Sequence, residues 1–145
     1  MKNTKTLFLF IFLIFSLNAS AQYYTGQKVF AKKFPSEIKD YSRDTYISIK
    51  NADGDIIVAI EDIGSGKVIQ HAYIKSRANF KFEHIPAGRF LCKYMWTDRN
   101  GDRHFAKDDA IMEFKADEYG GYEITMKSTT GNLTQTNISE SEFFN

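Results

Sequence analysis

Residues Phe80 to Trp96 read FKFEHIPAGRFLCKYMW, and their alternation decides the fold. Phe80 and Phe82 alternate with Lys81 and Glu83, a period of two that belongs to a strand with one buried face. Ile85-Pro86-Ala87-Gly88 then predicts a turn: Pro86 fixes φ and removes a donor, and Gly88 permits the chain to come back. From Arg89 to Trp96 the alternation resumes. Phe90, Cys92, Tyr94 and Trp96 share one face, while Arg89, Leu91, Lys93 and Met95 share the other.

The same period recurs on both sides. Towards the N-terminus, Thr45 to Lys50 places Ile47 and Ile49 together. Asn51-Ala52-Asp53-Gly54 reads as a hairpin turn, and Asp55 to Glu61 puts Ile56, Val58 and Ile60 opposite Ile57 and Ala59. Gly64-Ser65-Gly66 breaks the chain before a strand over Val68 to Lys75. Its inward set is either Ile69, His71 and Tyr73 or Val68, Ala72 and Ile74. Towards the C-terminus, Asp98-Arg99-Asn100-Gly101-Asp102 contains Asn-Gly, a strong hairpin signal that places Asn100 and Gly101 at the central positions with φ > 0. Arg103 to Ala106 and Ala110 to Phe114 are weaker strands, and Tyr122 to Lys127 turns Tyr122, Ile124 and Met126 inward. Ser139-Glu140-Ser141-Glu142 fits a capping box for one helical turn near Phe143 and Phe144. Gln27 to Ala31 reads as a first strand, and Phe34 to Asp44 as a loop with one helical turn. No helix-length amphipathic segment competes. The expectation is an all-β chain: a single antiparallel β-sandwich of about seven or eight strands, prealbumin-like or a related Greek key.

Ahead of these strands stands a different kind of segment. Lys2 and Lys5 precede the apolar run Leu7 to Leu17, and Ala19-Ser20-Ala21 is a cleavage site of the A-x-A form. That is the layout of a secretory signal peptide of bacterial appearance, and the run is shorter than the ~20 residues a spanning helix needs. Residues 1–21 are therefore expected to be removed and residues 22–145 to form one domain, exported to the periplasm or the exterior, with no transmembrane segment after cleavage. Loss of the two lysines takes the net charge from +1 to −1. Such a balance argues against a polybasic nucleic-acid binder and an acidic disordered tail. The 124 remaining residues hold nine Phe, eight Tyr and one Trp, a composition that suits sheets. One Cys in the whole chain excludes an internal disulfide framework and a Cys-based zinc site.

The stretch Phe80 to Phe90 resembles the strand, Ile-Pro-x-Gly and aromatic-led strand of prealbumin-like sandwiches of the carboxypeptidase-regulatory and Cna-B type, and Gly64 to Ile69 resembles their short inter-strand turn. The likeness covers residues 46–96. It implies a sandwich and a non-catalytic accessory or adhesive role. The isopeptide-forming residues of some Cna-B domains have no counterparts here residue by residue and are not carried over.

Chemistry-bearing patterns are sparse. The acidic turns Asn51-x-Asp53-Gly54-Asp55 and Asp98-x-Asn100-Gly101-Asp102 space oxygen ligands as Ca²⁺ requires, which makes Asp98, Asn100 and Asp102 the calcium candidates. Their Gly stands at the fourth position rather than the sixth of an EF-hand loop, so turn chemistry explains them without metal. No other cofactor is called for. His71, His84 and His104 form no H-x-H or H-x₃-H pair; His104, close to Asp102, Asp108 and Asp109, is the best single candidate for a ligand. Cys92 alternates with Phe90 and Tyr94 and reads as a buried small hydrophobe. No G-x-S-x-G, S-x-x-K or phosphate-binding glycine loop occurs. Asn132-Leu133-Thr134 and Asn137-Ile138-Ser139 are formal sequons in a polar Thr-rich loop, read as chance in a bacterial chain. Trp96 and Tyr94, or the Tyr23-Tyr24 pair, offer rings for the apolar face of a sugar.

These readings lead to a secreted, non-catalytic sandwich that binds a protein or assembles at the cell envelope, its partner there an unknown protein or glycan. The alternative is a small carbohydrate-binding module using Trp96 and the adjacent acidic loop, with Trp96, Asp98, Asn100, Asp102 and His104 as its ligand-binding residues. A hydrolase built from dispersed acids ranks last.

Overall fold

The computed structural model describes residues 22–126 and 135–145. The expected signal peptide and the Asn132 sequon lie outside the described residues. Among the described residues nine strands run in order: β1 (Thr45–Asn51), β2 (Ile56–Asp62), β3 (Lys67–Ile74), β4 (Asn79–Glu83), β5 (Gly88–Thr97), β6 (Arg103–Asp108), β7 (Met112–Phe114), β8 (Gly120–Met126) and β9 (Gln135–Asn137). A short helix, α1 (Glu140–Phe144), follows them. The strands form a three-stranded sheet, β4-β1-β8, and a six-stranded sheet, β3-β2-β5-β6-β9 with β7 also on β5. The two sheets pack as a β-sandwich.

The alternating residues meet between the sheets. Ile47 and Ile49 of β1, Val58 and Ile60 of β2, Phe82 of β4 and Phe90, Cys92 and Tyr94 of β5 are all nearly inaccessible. Each aliphatic or aromatic side chain buried there contributes roughly 1.5–3 kcal/mol. The double reading of β3 has a physical cause. A β-bulge opposite Ile60 and Glu61 inserts one residue into β3, and a bulge reverses which parity faces inward. Ile69, the inserted residue, and Ala72 and Ile74 beyond it therefore reach the same core, while Val68 and Tyr73 face outward.

Three local expectations need correction. The Asp53-Gly54 turn is not a hairpin, because β1 and β2 belong to different sheets. The turn carries the chain across the sandwich, with Gly54 at φ 69° and the buried Asn51 amide donating to the carbonyls of Gly54 (2.5 Å) and Lys75 (2.9 Å). The β5–β6 hairpin does form, but Gly101 alone has positive φ (90°) and Asn100 does not. Gly101 N–H donates to the Asp98 carbonyl (3.1 Å), giving a type I turn followed by a left-handed glycine in place of a two-residue type I′ turn. Finally, residues 27–31 form turns and no strand. The pairing also holds a feature that alternation does not encode: β1 and β8 are parallel, Tyr46 facing Gly121, which is why their connection spans the strands between them.

The outer face of the six-stranded sheet carries a second core. Ile57, Ala59, Val68 and Met95 lie under Phe34 from the N-terminal segment and Phe143 from α1. Ser139 caps α1 as the capping box predicts, its hydroxyl accepting the Glu142 N–H (3.1 Å). Lys93, on the face opposite Cys92, is 2% exposed; it is ion-paired to Glu61 and donates to the Glu142 carbonyl (2.5 Å). Residues 25–38 also finish the open edge of β3. Gly26 N–H donates to Tyr73 O (2.8 Å), Tyr73 N–H to Gln27 O (3.0 Å) and Ile38 N–H to Ile69 O (2.9 Å), so that edge offers no template for another strand. Among the described residues no helix is long and apolar enough to cross a membrane.

Candidate functional site

At the end of the sandwich where β1 and β8 finish, the two acidic turns come together. Asn51, Asp53, Gly54 and Asp55 of the β1–β2 crossing line one side of a pocket. Tyr94, Trp96, Thr97, Asp98 and Arg99, from the end of β5 and its turn, line another, with Ile56, Met126 and Gln135 completing it. Its volume is about 410 Å³, within the size range of small-molecule sites. The two turns are distant in sequence and meet because β2 pairs with β5, Ile56 facing Trp96.

Trp96 is half-buried against the inner core while lining the pocket. His104, its cross-strand partner on β6, stacks on it with ring centroids 5.3 Å apart and planes 17° from parallel. The His104 Nε2 lies 3.0 Å from Asp98 Oδ2. Asp98 Oδ1 accepts the N–H groups of Asn100 (2.8 Å) and Asp102 (3.0 Å). Asp98 is thus the keystone of its loop and not a free rim residue. The hydrogen bond to His104 and those from the loop backbone hold its carboxyl below the usual carboxylate range. On the facing turn, Asp55 accepts the Tyr73 hydroxyl and the Ser76 N–H (2.8 Å). Burial, followed by Asp55, pushes the Tyr73 phenol well above its ordinary pKa.

Of the five residues expected in the site, Trp96 and Asp98 line the pocket. His104 stands behind them, fixing both. Asn100 and Asp102 lie exposed in the turn and serve the Asp98 cap rather than the pocket wall. The Asp98 oxygens that the calcium spacing offered accept loop N–H groups and face His104. Among the described residues no three His, Cys, Asp or Glu side chains are grouped to hold a metal ion. Tyr94 contributes to the pocket floor, but its hydroxyl is directed at the buried Asp108 (3.4 Å). Tyr23 and Tyr24 sit on the covered β3 side, Tyr23 edge-on to Tyr73 at 5.3 Å, and not in the pocket. Cys92 is wholly buried, which pushes its thiol up to about 12 and leaves it inert as a nucleophile.

Asp53, Asp55 and Gln135 are among the pocket residues that the sequence does not place in a site. The repeated acidic turn was a signal for the first two, but only the strand pairing shows that the two copies share one cavity. Comparison of the chain with protein-family models, with curated proteins and with solved structures gave no match.

Proposed function

We propose that the protein is an exported, non-catalytic binding module of the cell envelope, and that its ligand is a glycan taken in the pocket between the two acidic turns. The convergence of Asp53, Asp55 and Asp98 with Trp96 on one cavity carries this reading. Sugars present many hydroxyl donors and one apolar ring face. Carboxylates and amides accept the donors, and an indole packs against the apolar face. His104 stacked on Trp96 sets the ring in place before a ligand arrives, which reduces the ordering cost of binding. The resemblance of residues 46–96 to prealbumin-like sandwiches agrees with an accessory role, as an analogy of fold. Catalysis is the weaker reading: an acid catalyst needs a raised carboxyl pKa, and Asp98 is displaced the other way.

Calorimetric titration with a panel of neutral envelope oligosaccharides tests the proposal. Trp96→Ala is expected to weaken binding about tenfold or more, the scale of losing one well-packed aromatic contact. Trp96→Phe, which keeps a ring in the core, should lose less. Binding unaffected by either substitution, or product formation from the oligosaccharide, would overturn the reading.

A further inference from the structure

One histidine stands beneath the outer-face cover. His71 of β3 faces outward, 3% exposed, and its Nε2 accepts the Phe30 N–H (3.3 Å). Its ring packs on Phe34 with centroids 4.7 Å apart, and its backbone carbonyl accepts from Lys28 Nζ. Acceptance at Nε2 requires the neutral ring with its proton on Nδ1. A second proton would turn Nε2 into a donor aimed at the Phe30 N–H and place a cation in a dry site beside the Lys28 ammonium.

The rest of the cover packs against the same segment. Phe30 packs edge-on to Phe144 (4.9 Å) and Phe34 to Phe143 (5.8 Å), and Lys33 Nζ stands 4.0 Å from the Phe144 ring centre. We propose that His71 is a proton-operated latch: its protonation releases residues 25–38, and with them α1, from the outer face while the inner sandwich stays folded.

The charged groups facing His71 come from the N-terminal segment. Lys28 opposes protonation and Glu37 favours it. Glu37 is itself bound to Lys28 and Lys39. Partial burial raises its pKa, yet the two lysines outweigh that and keep it ionised to lower pH than an ordinary glutamate. The strand partner of His71 on β2 is Ala59, and Phe34 carries no charge. Burial first, then Lys28, lowers the His71 pKa from 6.5 to about 4. In that window the open form binds a proton at His71 that the closed form does not. The closed form is therefore favoured in full above pH 6.5 and loses ground as pH falls towards 4. The open-to-closed ratio should rise roughly tenfold per pH unit, about 300-fold across the window.

Amide hydrogen exchange of the intact protein between pH 7 and pH 4, referred to the intrinsic rate of each amide, reads this directly. The amides of Gly26, Phe34, Ile38 and Phe143 should lose protection together, roughly tenfold per unit, while those of β1, β2 and the centre of β5 keep theirs. His71→Gln keeps a neutral acceptor at every pH and should flatten the dependence. In the unsubstituted protein the imidazole resonances of His71 should titrate near 4. Unchanged protection down to pH 4, an equal slope in His71→Gln, simultaneous loss in the inner strands, or titration of His71 near 6.5 would each overturn the latch.

Discussion

The two faces of the six-stranded sheet are closed by different means. The inner face is met by a second sheet, and its contacts are aliphatic and periodic: Ile47, Ile49, Val58, Ile60 and Ile74 interdigitate with Phe82 and Phe90. The outer face is closed by the two ends of the described chain. A few aromatic anchors, Phe34 and Phe143 foremost, hold it together with a buried Lys93–Glu61 pair. Three strands face six on the inner side, and at the end of β5 that side carries the polar pocket. The regular core supplies the rigid scaffold, and the site and the detachable cover lie where regular packing gives out.

The sharpest way to break this comparison uses two phenylalanines that are equally buried. Phe82, 1% exposed, belongs to the inner core, and Phe143, 0% exposed, to the cover. Phe82→Ala should cost about 4 kcal/mol in denaturant unfolding. Phe143→Ala should cost clearly less, because the loss is capped by the free energy of releasing the cover locally. Equal losses would mean that both faces unfold as one unit.

Gly121→Ala probes the parallel pair. A Cβ there would stand 1.8 Å from the Tyr46 carbonyl oxygen, and backbone cannot yield as a side-chain tip can. A destabilisation of about 3 kcal/mol is expected, at the upper end of overpacking costs. A variant that melts with the parent protein would refute the β1–β8 register.

The strand pattern was legible because period two is visible in residues such as Phe90, Cys92, Tyr94 and Trp96, whose alternation survives into the fold. The parallel β1–β8 contact was not, since it depends on where a distant strand arrives and leaves only Gly121 as a trace. The cover was equally hidden: Phe34 and Phe143 stand in segments with no sustained period, and Lys93 reads as surface when it is a buried anchor for α1. For the pocket, Trp96 and Asp98 were readable as an aromatic beside an acidic turn. Their meeting with Asp53 and Asp55 required the β2–β5 pairing, and the role of Asp98 as a loop cap required its hydrogen bonds.

Smaller effects sharpen the same contrast. Lys93→Met leaves the partly buried Glu61 carboxylate unpaired and should cost roughly 2 kcal/mol, below the range for a wholly buried pair. Adding Glu61→Leu should restore most of it, as a cover closed by apolar contact would allow; a double variant no better than the single would show that the ion pair itself closes the outer face. Gly101→Val, at φ 90°, should cost about 1 kcal/mol by thermal melting. A neutral result would contradict the left-handed glycine in the β5–β6 turn.

The claim that the pocket between the two acidic turns is the ligand site is tested most directly by chemical-shift mapping with a bound envelope oligosaccharide. Trp96 is the only tryptophan, so its indole N–H resonance is unambiguous. The account predicts saturable shifts of that resonance together with the amides of Asp53, Gly54 and Asp98, and none in the outer-face residues Val68 and Met95. Shifts centred on the outer face, or a bound sugar that leaves the Trp96 indole unmoved, would contradict it.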